Sequence, residues 1–135
     1  MSGSRELSAE SSSDVAKLEV RILREAEFFR SPTNNIRNEA EFGFHRTLWY
    51  GLRGTHTTTS VVVLPVGQSC EPHSSPAEHI ITVLSGRLFF SAGAHSIDLL
   101  PFDQIFVPPG VEYWYRNTAR TDTWFFNVVA HVAKP

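Results

Sequence analysis

The chain has 135 residues, a length typical of one domain that closes a single hydrophobic core. Its 12 basic and 14 acidic side chains give a formal net charge of −2, which excludes the basic footprint of a nucleic-acid-binding protein. The single cysteine, Cys70, excludes an intramolecular disulfide, and no segment approaches the ~20 apolar residues of a membrane span. We therefore expect a cytoplasmic protein that binds neither nucleic acid nor membranes.

Residues 1–15 are rich in Ser, Glu and Asp, so we expect a disordered tail followed by one domain over residues 16–135. In that domain, short runs rich in Val, Ile, Phe, Tyr, Trp and Thr alternate with turn residues, a pattern that indicates strands. The predicted strands lie in KLEVRIL, FHRTLWYGL, THTTTSVVVLP, EHIITVLSG, GRLFFSAGAHSIDLL, DQIFVPPG, VEYWYRN and DTWFFNVVAHV. One of these segments predicts a hairpin with its tip at Ala92-Gly93-Ala94, and one short helix fits near Glu25 to Phe29. About eight or nine evenly spaced strands predict a sandwich or barrel.

Alternate side chains of a closed barrel point inward, where a polar group costs free energy unless something hydrogen-bonds it. The period of two therefore identifies inward polar residues as the candidates for function. Three sets are predicted to share a face: His73 with Ser75, Tyr113 with Tyr115, and His79 with Ile81 and Val83. Glu78 should then point outward, because it precedes His79 by one residue.

Two segments carry a family resemblance. GQSCEPHSSPAEHIITVLSG resembles the first motif of the cupin superfamily, and the matching positions are Gly67, His73, Ser75, His79 and Gly86. PFDQIFVPPGVEYWYRN resembles the second motif, and its matching positions are Phe102, Pro108, Gly110, Tyr113 and Asn117. The resemblance spans residues 57–130 and implies an all-β cupin fold, a double-stranded β-helix or jelly-roll barrel.

The metal-binding part of the pattern differs from the family. Cupins usually hold a metal with two histidines and a glutamate of the first motif and a histidine of the second. Here these places are His73, Ser75, His79 and Tyr113. Serine and neutral tyrosine are poor ligands for divalent transition metals, so we expect that no cofactor is required. A weakly held divalent metal on His73, His79 and Tyr113 remains open.

The leading hypothesis is a small-molecule enzyme of isomerase, dehydratase, lyase or cyclase type. Small cupins that resemble this chain include polyketide cyclases, sugar epimerases and dehydratases of secondary metabolism. We expect His73 as the base, His79 as its partner or the general acid, with these two roles interchangeable, and Tyr113 as the acid or oxyanion donor. Ser75, Gln104 and Tyr115 are expected to contact the substrate from the inner face.

Two other functions remain open: a metal-dependent cupin oxygenase or lyase with a His/His/Tyr site, and a cupin that binds a small ligand without catalysis. The remaining histidines are interpreted as structural or exposed: His45, His56, His95 and His131. Arg46 and Arg87 are interpreted as surface residues with at most a weak claim to an anionic substrate, and Cys70 as a small buried hydrophobe. KLEVRIL lies outside the two motifs and predicts a homodimer, in which it pairs with a neighbour's sheet.

Overall fold

The computed structural model describes residues 20–30, 33–34 and 45–131, and for 33–34 only the backbone. The described residues form one short helix, α1 (Glu25–Phe28), and nine strands. The strands are β1 (Thr33–Asn34), β2 (Thr47–Arg53), β3 (Thr57–Leu64), β4 (Glu78–Ser85), β5 (Leu88–Ala92), β6 (His95–Leu99), β7 (Gln104–Val107), β8 (Tyr113–Asn117) and β9 (Thr123–Ala130). No helix in this part of the chain is long and apolar enough to span a membrane.

The strands form two antiparallel sheets that face each other. The larger sheet has the order β1-β2-β3-β9-β4-β7, and the smaller has the order β6-β5-β8. Bridges from Ser69 to Arg116 and from His73 to Tyr113 add the loop before β4 to the β8 edge of the smaller sheet. The all-β fold predicted from the sequence is confirmed.

The core lies between the sheets and follows from alternation in the strands. Fully buried residues from both sheets meet there: Val62, Leu64, Val83, Leu88, Phe90, Leu99 and Phe125. Phe90 of β5 stacks on both Tyr113 and Tyr115 of β8, with ring centroids 5.6 and 5.7 Å apart. Apolar packing against Phe90 thus fixes the positions of the two tyrosine rings, independently of their polar contacts.

The asparagine of the second motif, Asn117, is buried and hydrogen-bonded on both sides of its amide. The Asn117 amide donates to the backbone oxygens of Leu64 and Thr121, both at 2.9 Å. Its Oδ1 accepts from the Ala119 N–H at 2.8 Å and from the Thr123 hydroxyl at 2.8 Å. A buried amide with all these partners ties β3 and β8 to the loop before β9.

The predicted turns and helix agree with the structure, and one predicted strand does not. The β5–β6 turn is at Gly93, with φ of +58°, and α1 lies within the predicted helical segment. The described part of KLEVRIL, Val20 to Leu23, is neither helix nor strand. Alternation can mark the faces of a strand, but a strand also needs a neighbouring backbone, and these residues have no ladder partner in the described ranges. Residues 1–19 are not described, so the predicted tail is outside the structure.

Candidate active site

The strand register brings residues far apart in sequence into one line on the inner face of the larger sheet. Cross-strand partners point to the same face, and neighbouring strands are ~4.8 Å apart. The line crosses β2, β3, β9, β4 and β7 through Arg53, Thr58, Val129, His79 and Val107. Because His79 and Val107 are buried, their end of the line faces the barrel interior, whereas Arg53 at the other end is exposed.

His79 is the most deeply buried histidine of the described part, with 8% of its surface exposed. Its Nδ1–H donates to Asn127 Oδ1 at 3.3 Å, and its Nε2 is buried without a hydrogen-bond partner there. Burial lowers the pKa of the imidazole, the Asn127 hydrogen bond opposes this, and the charges of His73 and His131 lower it further. His79 is therefore neutral near pH 7 and carries a lone pair on Nε2.

Tyr113 faces His79 from the opposite sheet. It is the first residue of β8, and its ring lies 5.6 Å from the His79 ring and 4.4 Å from the His73 ring, between centroids. Burial raises the pKa of its phenol to about 12, the nearby Cys70 adds to this rise, and Arg46 opposes it. The phenol therefore keeps its proton at neutral pH and acts as a hydrogen-bond donor.

His73 is held against Tyr113 by backbone pairing. The His73 N–H donates to the Tyr113 oxygen at 3.0 Å, and the Tyr113 N–H donates to the His73 oxygen at 2.8 Å. The side chain makes its own contact, because Nδ1 lies 2.9 Å from the Glu71 carbonyl oxygen. A carbonyl only accepts, so Nδ1 is the donor in this hydrogen bond.

Ser75 is half-buried, and its hydrogen bonds to other described residues are with loop backbone. Its Oγ accepts from the Ala77 N–H at 3.1 Å, and its carbonyl accepts from the Gly110 N–H at 2.8 Å. These bonds shape the loop between His73 and β4 and join it to the Pro-Pro-Gly turn before β8. The structure thus gives Ser75 a role in holding the loop, and the predicted substrate contact stays a prediction.

Tyr115 lies two residues after Tyr113 in β8 and forms a hydrogen-bonded pair with Arg46. Tyr115 is buried, and its hydroxyl accepts from Arg46 Nη1 at 3.0 Å. Burial raises the pKa of Tyr115, and Arg46 partly opposes that rise. Arg46 is half-buried, so it is less exposed than its interpretation as a surface arginine implied. Cys70 is buried in the same region, as predicted, and burial raises the pKa of its thiol to about 11.

The inward orientation predicted for Gln104 is wrong. Its side chain is exposed, and Nε2 donates to the Thr82 hydroxyl at 2.7 Å. The reason is the phase of alternation in β7: Val107 is buried, and a residue three positions earlier must point to the other face. The sequence defines a period of two, but the buried end of this strand fixes which residues face inward.

A cavity of about 240 Å³ continues the inner face beyond His79. Five residues line it: Tyr50, Arg53, Thr58, Val129 and His131. His131 is exposed, in agreement with its interpretation from the sequence as structural or exposed, whereas Arg53 was not among the sequence candidates. Continued alternation from Asn127 through Val129 was the available signal for His131, because every second residue at the end of β9 follows the same face.

The side chains at this site do not fit the four-ligand metal centre that the cupin resemblance implies. Their donors are two imidazoles and a phenol whose pKa is about 12. Within the described ranges, no group of three His, Cys, Asp or Glu side chains is placed to hold a metal ion. The arrangement is instead that of a neutral base and a neutral acid facing each other across the barrel.

Comparison with known proteins supports the fold in two ways. A family model described as a cupin domain matches residues 60–129, more than half of the 135 residues. A comparison with curated proteins finds no match. Solved structures with the same fold are numerous, and all those described below are under 20% identical to this chain.

The chain is similar to a predicted oxalate decarboxylase from Thermotoga maritima, with 19% identity, a TM-score of 0.71, and coverage of 83% of this chain and 100% of that chain. It is similar to KdgF from a Halomonas species, with 11% identity, a TM-score of 0.71, and coverage of 86% of this chain and 97% of that chain. It is also similar to an RmlC-like cupin from Shewanella frigidimarina, with 12% identity, a TM-score of 0.65, and coverage of 83% of this chain and 95% of that chain. The matched family model and the shared architecture lead to one conclusion: this chain belongs to the cupin superfamily.

Proposed function

We propose that this cupin is an enzyme that moves a proton on a small molecule inside the barrel. The observation that carries the proposal is the buried His79 imidazole, whose Nε2 has a lone pair and no hydrogen-bond partner among the described residues, beside the protonated phenol of Tyr113. The reaction class is an isomerisation, dehydration, elimination or ring closure, since each needs one base and one acid.

His79 is the base in this proposal. Its lowered pKa keeps it unprotonated at neutral pH, and its hydrogen bond to Asn127 orients Nε2 as the acceptor. An unpartnered buried nitrogen is costly, and a substrate proton delivered to it would relieve that cost. This assignment selects one of the two role orders that the sequence left open, with His73 as the positioning partner.

Tyr113 is the donor to the developing negative charge. Its hydroxyl stays protonated, and the surrounding apolar rings strengthen a hydrogen bond to an enolate or a leaving oxygen. His73 and Tyr115 hold the tyrosine in place from either side, through the backbone bridge and the shared stacking on Phe90.

The proposed chemistry uses the protein's own side chains and needs no cofactor. The replacement of two family ligands by Ser75 and Tyr113 supports this, because neither is a good ligand for a divalent transition metal. One structural neighbour is named as a predicted oxalate decarboxylase, which supports small-molecule chemistry in a barrel of this kind. The buried thiol of Cys70, with its raised pKa, fits the cytoplasmic location that we also propose.

The test is proton exchange in D₂O with a panel of small oxo and hydroxy compounds, followed by NMR. We expect His79→Gln to slow the reaction of any substrate found by about 10²- to 10⁴-fold, and Tyr113→Phe to lower kcat with little change in KM. His95→Gln is the matched control, because His95 is exposed on β6.

Metal removal separates this proposal from the metal-dependent alternative. We expect activity to survive EDTA treatment, and the untreated protein to contain well under one equivalent of zinc, iron, manganese or copper. Stoichiometric metal that is lost together with activity would overturn the proposal and favour a His/His/Tyr metal site. Full activity of His79→Gln would overturn the assignment of the base.

A further inference from the structure

The cavity beyond His79, which we call the mouth cavity, has an unusual lining. Its residues are Tyr50, Arg53, Thr58, Val129 and His131. They supply one guanidinium, one imidazole and two hydroxyls, and none of them is a carboxylate. Guanidinium and hydroxyl groups together are the donors that bind carboxylates and phosphates.

The basic side chains of this lining are available for a ligand. Within the described ranges, neither the Arg53 guanidinium nor the His131 side chain has a hydrogen-bond or ion-pair partner. Arg21 adds positive charge, because its Nη2 donates to the Arg53 backbone oxygen at 2.6 Å. Glu78 is the carboxylate next in register, but it pairs with Ala130 and lies on the opposite face from Val129.

The mouth cavity is connected to His79 by the register of the strands. Val129, which lines the cavity, is the direct cross-strand partner of His79 in β4 and of Thr58 in β3. The charge of His131 also acts on the His79 imidazole. Val129 therefore lies between the mouth cavity and His79, on strands that are ~4.8 Å apart.

We propose that the mouth cavity is an oxyanion subsite, so that the substrate is a small anion bound through a carboxylate or phosphate group. Arg53 binds the oxyanion in a bidentate manner, and His131 with the Tyr50 and Thr58 hydroxyls completes its shell. The apolar Val129 side chain separates this group from His79, which places the uncharged, reacting part of the substrate beside the base. That the bound anion is a substrate rests on the proposed function, whereas the binding of an anion in this cavity does not.

A second cationic cavity provides an internal comparison. It has a volume of about 320 Å³ and is lined by Gly86, Arg87, Thr118, Ala119 and Arg120. Gly86 follows His79 by seven residues along β4 and its turn, a distance of roughly 23 Å in extended chain. An anion bound there could not reach His79. A comparison of the two cavities therefore distinguishes an anion that is positioned beside the base from one that is held only by a general attraction to positive charge.

The test is a residue-resolved NMR titration of the full chain with malonate and with inorganic phosphate at constant ionic strength. We expect saturable shifts of the Thr58, Val129 and His131 amides. The probe that binds more tightly identifies the oxyanion as carboxylate or phosphate. Arg53→Gln should weaken this binding at least about ten-fold, because it removes the bidentate donor. The matched control, Arg120→Gln, removes an exposed arginine from the second cavity and should leave the shifts unchanged.

Three results would overturn the proposal: no saturable shift up to tens of millimolar anion, shifts confined to Arg87, Thr118 and Arg120, or equal affinity in Arg53→Gln. His79→Gln separates this inference from the proposed function. If anions bind the mouth cavity in that variant and turnover is unaffected, the base assignment fails and the subsite stands. If turnover is lost but Arg53→Gln binds anions normally, only the subsite fails.

Discussion

The buried imidazole of His79 has a consequence for folding as well as for chemistry. Its folded-state pKa lies below the ordinary value of 6.5, mainly because burial disfavours the charged ring. As the pH falls below 6.5, the unfolded chain binds a proton at this position before the native state does. Protonation therefore favours the unfolded chain, and the native state loses stability until the pH reaches the folded-state pKa.

We predict that the free energy of unfolding of the wild type falls more steeply between pH 7 and pH 5 than that of His79→Gln. The slope from one such group is at most about 1.4 kcal/mol per pH unit. Urea denaturation at several pH values measures it, and His95→Gln, which changes an exposed histidine, should keep the wild-type slope. Parallel curves for the wild type and His79→Gln would show that the ring is not desolvated.

At the scale of elements, the turn between β4 and β5 depends on the absence of a side chain at Gly86. Its φ is +92°, and a Cβ there would lie 2.8 Å from the Thr123 Cα and still closer to the Thr123 hydroxyl. Thr123 has no room to withdraw, because its hydroxyl accepts from the Arg87 N–H at 3.0 Å and donates to Asn117 Oδ1 at 2.8 Å. The turn from the larger sheet to the smaller sheet thus packs directly against the start of β9 at this glycine.

We predict that Gly86→Ala destabilises the fold by roughly 2–4 kcal/mol, the sum of backbone strain and overpacking. Gly110→Ala is the matched control: φ there is +81°, but a Cβ would meet nothing within 4 Å. It should cost only the backbone strain, about 1 kcal/mol. Thermal and urea unfolding measure both variants, and equal losses would contradict the steric explanation.

At the scale of the whole molecule, the described part of the chain has an exposed apolar segment near its start. Val20 and Ile22, two residues apart, are 90% and 75% exposed. Alternate apolar side chains suit a strand that is half-buried in a sheet. We propose that this segment pairs with a sheet of a second copy, as the sequence led us to expect, and that the protein is a homodimer.

Light scattering at tens of micromolar should then give about 30 kDa, twice the 15.2 kDa of one chain. Val20→Asp with Ile22→Asp should shift the mass toward the monomer, because burying two unpaired carboxylates is unfavourable. Val66→Asp, at another exposed apolar position, is the control and should leave the mass unchanged. A wild-type mass near 15 kDa would contradict the dimer.

The sequence by itself determined the class of fold and three residues that meet at the candidate site. Alternation and turn glycines located the strands, because they are local properties that the backbone enforces within a few residues. The same local rules placed His79 and Tyr113 on inner faces, where burial confirms them. His73 joined them through a backbone bridge to Tyr113.

The tertiary structure alone decided the phase of each strand and the partners across it. Gln104 lies in a strand that alternates as predicted but faces outward, because the buried Val107 at the end of β7 determines which residues of the strand point inward. Arg53 and His131 are 78 positions apart, and only the pairing of β2, β3 and β9 places them around one cavity next to His79. Local alternation cannot predict such neighbours, because register results from the packing of the whole core.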